Sequence, residues 1–130
     1  MEGNEILALV LGLAILAFFV RRKMLMQGIQ QYTAAELSAQ VDARAPIVIL
    51  DVRTQKERSQ GSIKNSLHIP VTEINRRSDE LKRYAHQQIV CYCASGTRSV
   101  SAAIALKKKG YKTANLKGGI GDWNFYQRTH

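Results

Sequence analysis

Two cysteines lie one residue apart in the second half of the chain, at Cys91 and Cys93. An apolar run that predicts a buried strand leads into Cys93, and small residues follow it up to the next helical pattern. A thiol at the entrance of a helix lies among backbone N–H groups and near the positive end of the helix dipole, and both lower a thiol pKa. Because Gly96 can adopt a positive φ, the loop can turn its N–H groups towards one point and hold an anion. The pattern therefore predicts a nucleophilic thiolate at Cys93. The residues expected to surround the anion are Ala94, Ser95, Gly96, Thr97 and Arg98.

Both cysteines also have a structural interpretation. A free cysteine is most often a small buried hydrophobe, and Cys91 fits that description because it lies within an apolar strand pattern. Cysteines at i and i+2 are near the distance limit for a disulfide, and two cysteines alone do not make a zinc site. We therefore expect Cys91 to pack in the core and Cys93 to carry the chemistry, with no metal and no cofactor.

Strands and helices are predicted to alternate along the chain from residue 29 onwards. Continuous apolar runs at residues 47–50 and 89–92 are typical of strands buried on both faces. A capping box at residues 33–36 predicts a helix, and the pattern at residues 99–109 predicts another. Shorter strands are expected at residues 29–32, 66–69 and 113–116, and shorter helices at residues 56–60 and 72–85 and around Trp123.

This order of elements predicts an α/β fold with a largely parallel sheet covered by helices on both faces. In such sheets, ligands bind beyond the carboxyl ends of the strands. Asp51 and Cys93 are the polar residues that follow the two buried strands. They are therefore expected at the same edge of the sheet.

An uncharged apolar block occupies residues 6–20 and has no polar stripe. Its composition favours insertion into a bilayer, although a helix of that length spans only about 22 Å of a hydrocarbon core of roughly 30 Å. A signal peptide carries positive charge before its apolar run, whereas here the basic cluster 21–23 follows the run and Glu2 and Glu5 precede it. The alternatives to a span are a signal peptide and a helix that lies on the membrane surface or packs on a partner.

We expect residues 1–26 to form a single-pass anchor in the cell (inner) membrane, with a short linker at residues 24–31. The positive-inside rule then places the domain of residues 27–130 in the cytoplasm. Of the net charge of +9, residues 27–130 carry +8, because the anchor holds three basic and two acidic residues. A basic surface attracts small anions, anionic lipid or nucleic acid. No nucleic-acid partner is expected, because the aromatic residues are not interleaved with the basic ones.

Four motifs in the chain resemble those of single-domain rhodaneses, and together they cover about residues 32–126. They are CASGTRS at 93–99, LDVR at 50–53, GSI followed by LHIP at 61–70, and LKGGI followed by Trp at 116–123. The resemblance implies a sheet of about five strands flanked by helices. It also implies that Cys93 takes a sulfane sulfur from thiosulfate or a protein persulfide, holds it as a persulfide and passes it to a thiophilic acceptor. Asp51 and Arg53 are then expected to support the loop or the strand ends.

The sequence departs from this family at Ser62, where the family usually has His, and at residues 65–66, where it usually has Gly-Ala. Two other functions stay open. One is a membrane-tethered adaptor that keeps the fold without catalysis. The other is a Cys-dependent phosphatase, which needs the spacing C-x5-R, whereas Cys93 and Arg98 are spaced C-x4-R. The sequence makes no prediction about oligomeric state or about the physiological sulfur donor and acceptor.

Overall fold

Five short strands form one sheet in which every neighbouring pair is parallel. A computed structural model of the chain describes residues 2–26 and 28–130. The strands are β1 (Gln30–Tyr32), β2 (Ile47–Asp51), β3 (Leu67–His68), β4 (Gln88–Tyr92) and β5 (Lys112–Leu116). Their order across the sheet is β1-β5-β4-β2-β3, which puts β4 at the centre. Each strand overlaps a predicted one, and the predicted α/β class with a parallel sheet is confirmed.

Among the described residues, four helices connect consecutive strands, one helix precedes β1 and one follows β5. They are α1 (Gly3–Met26), α2 (Ala34–Asp42), α3 (Gln55–Ser59), α4 (Ile74–Arg77), α5 (Thr97–Lys108) and α6 (Gly119–Thr129), with 3-10 turns at Val71–Glu73 and Ser78–Tyr84. Thr33 caps α2 by accepting a hydrogen bond from the N–H of Glu36, as predicted. The same T-x-x-E spacing occurs at Thr54 and Glu57, where both hydrogen bonds of a capping box form and begin α3 one residue before the predicted start.

Side chains of the central strand alternate between two hydrophobic layers. Ile89 and Cys91 pack on the side covered by α4 and α5, where Leu106 is fully buried. Val90 and Tyr92 point to the opposite side, where they pack with Leu37 of α2. Both faces of the sheet are therefore covered, which is why β2 and β4 read as continuous apolar runs rather than alternating ones.

Helix α1 is longer than the apolar block that predicts it. It has 24 residues, of which Gly3–Met24 are apolar enough to cross a membrane, and none of that stretch is buried. At about 1.5 Å per residue the stretch spans about 33 Å, and the part before the basic cluster 21–23 spans about 27 Å. A hydrocarbon core is roughly 30 Å thick, so the helix comes closer to spanning it than the apolar block alone indicates. By length and composition, α1 can span a bilayer.

The linker between α1 and β1 is shorter than the predicted residues 24–31, because α1 reaches Met26 and β1 begins at Gln30. Gln27, where the predicted domain begins, lies outside the described residues.

A pair of glycines after β5 brings the chain against the loop that follows β4. Gly118 and Gly119 have φ of +78° and +62°. A Cβ on Gly119 would lie 2.6 Å from the carbonyl oxygen of Ala94 and would also collide with that of Cys93. The N–H of Ile120 donates to the same Cys93 carbonyl at 3.0 Å. The start of α6 thus packs directly on the backbone of the Cys93 loop, and only glycine fits at Gly119.

Replacing Gly119 with alanine should destabilise the protein more than replacing Gly110 with alanine. Both positions have positive φ, so each alanine meets backbone strain of about 1–2 kcal/mol. Only the Cβ at Gly119 meets other atoms, because the space around Gly110 is open. Overpacking should add about 1–3 kcal/mol at Gly119. Urea unfolding of the full chain in mild detergent, followed by circular dichroism, measures the two losses, and equal losses would contradict this packing.

Candidate active site

The Cys93 loop lies at the carboxyl edge of the sheet, directly after the central strand β4. It runs from Cys93 to Gly96, and α5 begins at Thr97, two residues earlier than predicted. Gly96 adopts a left-handed conformation, with φ of +106°, immediately before the helix. Thr97 and Arg98, which the sequence predicts in the loop, therefore belong to the first turn of α5. The loop is a tight turn of small residues that ends on a helix N-terminus.

Hydrogen-bond donors surround the sulfur of Cys93. The N–H of Gly96 donates to Sγ at 3.0 Å, and the hydroxyl oxygen of Ser99 lies 3.3 Å from Sγ. Cys93 is only 1% exposed, whereas Ala94 and Ser95 beside it in the loop are exposed. The sulfur thus lies just beneath the surface, covered by its own loop.

The two cysteines have pKa values shifted in opposite directions. Burial raises the pKa of the Cys91 thiol to about 12, and the neighbouring charge of Cys93 adds to the effect. Burial also opposes ionisation of Cys93, but hydrogen bonds from Ser99 and from the N–H groups of Gly96 and Ser95 outweigh it. The pKa of Cys93 is therefore below its ordinary value and that of Cys91 above it, so Cys93 is the candidate nucleophile of the two.

Asp51, at the end of β2, is the centre of a buried polar cluster. Its carboxylate is fully buried and accepts hydrogen bonds from the backbone N–H of Arg53 at 2.9 Å and from the Arg53 guanidinium at 2.9 and 3.1 Å. It also accepts from Arg58 at 3.2 Å and from the hydroxyl of Tyr92 at 2.9 Å. Burial opposes ionisation, but these hydrogen bonds hold the pKa of Asp51 below its usual value.

The same cluster fixes the segment that connects α3 to β3. Arg53 donates to the carbonyl of Gly61 at 2.6 Å, and Arg58 donates to the carbonyl of Ser66 at 2.8 Å. The hydroxyl of Tyr92 accepts from the N–H of Ile63 at 3.1 Å. Side chains from α3 and from the ends of β2 and β4 thus bind the segment of residues 61–66. The supporting role of Asp51 and Arg53 stays a prediction.

An ion pair joins α3 to the first turn of α5. The guanidinium of Arg98 binds both carboxylate oxygens of Glu57, at 2.6 and 2.7 Å. The hydrogen bonds from Arg98 lower the pKa of Glu57 to about 2 despite its desolvation. The sequence predicts Arg98 among the residues that surround the anion. In the structure this guanidinium is bound to Glu57, while Ser99, the next residue, contacts the sulfur.

The model of the rhodanese-like domain family matches residues 33–125 of the chain. The chain belongs to the rhodanese-like domain family. That match contains β2, the Cys93 loop and the Gly118–Gly119 turn, which are the elements that build the site.

Curated relatives and solved structures agree with this assignment. A putative sulfurtransferase, YtwF, of Bacillus subtilis is 30% identical over 95 residues, which are 73% of this chain and 90% of the relative. A sulfurtransferase of Allochromatium vinosum is 32% identical over 73% of this chain and 88% of its own length. A structure from Rhodopseudomonas palustris, described as a protein of unknown function and possible tyrosine phosphatase, is 27% identical with a TM-score of 0.71 and covers 82% of this chain and 87% of its own.

The predicted site residues are brought together only in part. Cys93, Ala94, Ser95 and Gly96 form the loop, while Thr97 and Arg98 belong to the start of α5, where Thr97 is exposed and Arg98 is half-buried against Glu57. The sequence patterns do not predict roles for four residues of the site, which are Glu57, Arg58, Tyr92 and Ser99. The role of Ser99 follows only once α5 is seen to start at Thr97, because that start places Ser99 in the first turn of the helix beside the loop. The partners of Asp51 depend on long-range pairing that no local pattern encodes.

Replacing Ser99 with alanine should slow alkylation of Cys93 by iodoacetamide. Loss of a hydrogen bond to a charged group is worth about 1.5–3 kcal/mol, so the thiolate fraction near pH 7 should fall roughly tenfold or more. Because the change raises the pKa of Cys93, the midpoint of the pH–rate curve should move upwards. Mass spectrometry of the labelled peptide measures the rate. Ser101→Ala, two residues further along α5, is the matched control, and equal rates in the two variants would show that Ser99 has no effect on the thiol.

Replacing Glu57 with glutamine should remove a pH-dependent part of the stability. The Glu57 pKa is about 2 in the folded protein against an ordinary 4.5. Its contribution is therefore complete above pH 4.5 and is lost as the pH falls towards about 2. The difference in free energy of unfolding between wild type and Glu57→Gln should shrink over this interval. Asp42→Asn, on α2, is the control carboxylate and should follow wild type, and a difference that stays constant with pH would rule out the ion pair.

Proposed function

We propose that the chain is a sulfurtransferase that carries sulfur on Cys93. The observation that supports this most strongly is the Cys93 sulfur itself, which is buried yet receives hydrogen bonds from Gly96 and Ser99. Donors arranged in this way favour a negative charge on sulfur. The family relatives named as sulfurtransferases agree with this chemistry.

The proposed reaction has two steps. The Cys93 thiolate attacks the sulfane sulfur of thiosulfate, a sulfur–sulfur bond forms, and the original bond breaks with sulfite leaving as an anion. With a protein persulfide as donor, a thiolate leaves instead. A thiophilic acceptor, such as a thiol or cyanide, then attacks the outer sulfur, and Cys93 leaves as thiolate. Splitting the transfer in this way is covalent catalysis.

The N–H groups of residues 94–98 are the proposed donors to the persulfide charge, and residues 94–98 are the proposed substrate-binding residues. The N–H of Gly96 already lies 3.0 Å from Sγ. The outer sulfur would extend from Sγ towards the exposed part of the loop. Since Cys93 is 1% exposed, we infer that the donor presents a single sulfur to the loop mouth and keeps its bulk outside.

Two observations argue against phosphatase activity, which has been suggested for the Rhodopseudomonas palustris protein. Cys93 and Arg98 are one residue closer than a phosphate-enclosing loop requires. The Arg98 guanidinium is also bound at both of its outer nitrogens by Glu57 rather than turned towards Cys93.

The near-complete burial of Cys93 favours one alternative, which is a membrane-tethered adaptor that keeps the fold without catalysis. An adaptor would bind its partner through the domain surface and would not acquire sulfur on Cys93.

We further propose that residues 1–26 anchor the protein as a single pass in the cell (inner) membrane, with residues 27–130 as a cytoplasmic rhodanese-like domain. The length of α1, its exposed apolar surface and the basic cluster 21–23 at its end support this arrangement. A reporter enzyme fused after His130 that is active only outside the cell would overturn the orientation.

Incubation with thiosulfate should add one sulfur atom, about 32 Da, to the intact protein. The adduct should be absent in Cys93→Ser and present in Cys91→Ser, because burial keeps the pKa of Cys91 near 12. Addition of cyanide should remove it. Intact mass spectrometry of the desalted full chain measures each step. An unmodified wild type after treatment with thiosulfate and with a persulfide donor would favour the adaptor instead.

A further inference from the structure

A cavity of about 500 Å³ lies between the end of α1 and the C-terminal half of α5. One part of its wall is apolar, formed by Phe18 and Ile104. The other part is basic. The basic residues that line it are Arg21, Arg22, Lys108 and Lys109.

Four cations converge there without a compensating acid. Among the described residues that line the cavity, none is acidic. Within residues 2–26 and 28–130, no ion pair involves any of the four. Lys109 instead donates to a backbone carbonyl, that of Asn75, at 3.4 Å. Like charges held together by two separate helices repel each other, and an anion between them would remove that repulsion.

We propose that this cavity binds an anionic phospholipid. Its phosphate would lie among the four cations and its acyl chain along Phe18, a residue 60% exposed on the apolar surface of α1. The proposal rests on the proposed membrane anchor, because the cavity lies where α1 changes from apolar residues to the basic cluster 21–23. In a spanning helix this transition lies at the level of the lipid headgroups. The apolar wall distinguishes a lipid from free phosphate, which would gain nothing from it.

A lipid bound here would orient the catalytic domain. Lys108 and Lys109 are at the C-terminal end of α5, and Ser99 is at the other end beside Cys93. The helix rises about 1.5 Å per residue, so the Cys93 loop lies roughly 15 Å from the lipid-binding end. Contact of these lysines with headgroups would therefore keep the loop mouth turned away from the bilayer and open to sulfur donors.

The test uses the full chain in nanodiscs that contain equal amounts of phosphatidylglycerol and phosphatidylcholine, followed by release into detergent and native mass spectrometry. Wild type should retain phosphatidylglycerol in preference to phosphatidylcholine. The double variant Lys108→Gln/Lys109→Gln should lose about thirtyfold of that preference, because it removes two basic residues from beside the anionic headgroup. Lys56→Gln/Lys64→Gln removes the same charge from exposed positions outside the cavity and should keep the wild-type preference.

The outcomes separate the lipid site from the proposals it builds on. Equal retention of the two lipids by wild type, or equal losses in the two double variants, would overturn the lipid site alone. Failure of the chain to enter nanodiscs would overturn the anchor and the lipid site together. Sulfur loading of Cys93 by thiosulfate is measured separately, so its failure would overturn the sulfurtransferase proposal without bearing on lipid retention.

Discussion

The proposed chemistry depends on the hydrogen bonds that Gly96 and Ser99 make with the sulfur of Cys93. Burial by itself disfavours the thiolate, and it raises the pKa of Cys91, two residues earlier in β4, to about 12. Both side chains point to the same face of the sheet and both are almost fully buried. The difference between them is that Cys93 lies past the end of β4. There a tight turn directs backbone N–H groups at the sulfur, whereas the N–H groups within a strand pair with the neighbouring strands.

That turn keeps its shape because other parts of the chain hold it from two sides. Gly119 and Ile120 pack against the carbonyl groups of Cys93 and Ala94. The Glu57–Arg98 ion pair ties the first turn of α5 to α3. Behind α3, the Asp51 cluster consists of charged side chains buried in the interior. Replacing buried ion pairs by apolar residues often raises stability, so stability alone does not account for the cluster. We therefore interpret this cluster as a positioning device that orients α3 and the segment before β3 with respect to the Cys93 loop.

Much of this arrangement is predictable from sequence, because the informative signals are local. The apolar runs predict β2 and β4, and Thr33 predicts the start of α2. The small residues after Cys93 predict a turn that leads into a helix. The predicted start of α5 was wrong by two residues, since Thr97 and Arg98 form a helical turn after Gly96 rather than a loop. Because of this error, the sequence does not predict that Ser99 contacts the sulfur. Helix α1 lies within the predicted anchor of residues 1–26 and extends past the apolar block, because charged residues end an apolar pattern without ending a helix. The partners of Arg98 and Asp51 come from distant segments, so local patterns do not contain them.

The central claim is that the loop stabilises a thiolate at a buried sulfur, and a direct titration of that sulfur tests it most simply. In Cys91→Ser, Cys93 is the only thiol, and the ultraviolet absorbance of its thiolate can be followed against pH in the folded protein. We expect a midpoint below the ordinary value of 9.0. A midpoint at or above that value, in a protein that remains folded, would show that burial outweighs the hydrogen bonds and would contradict the claim.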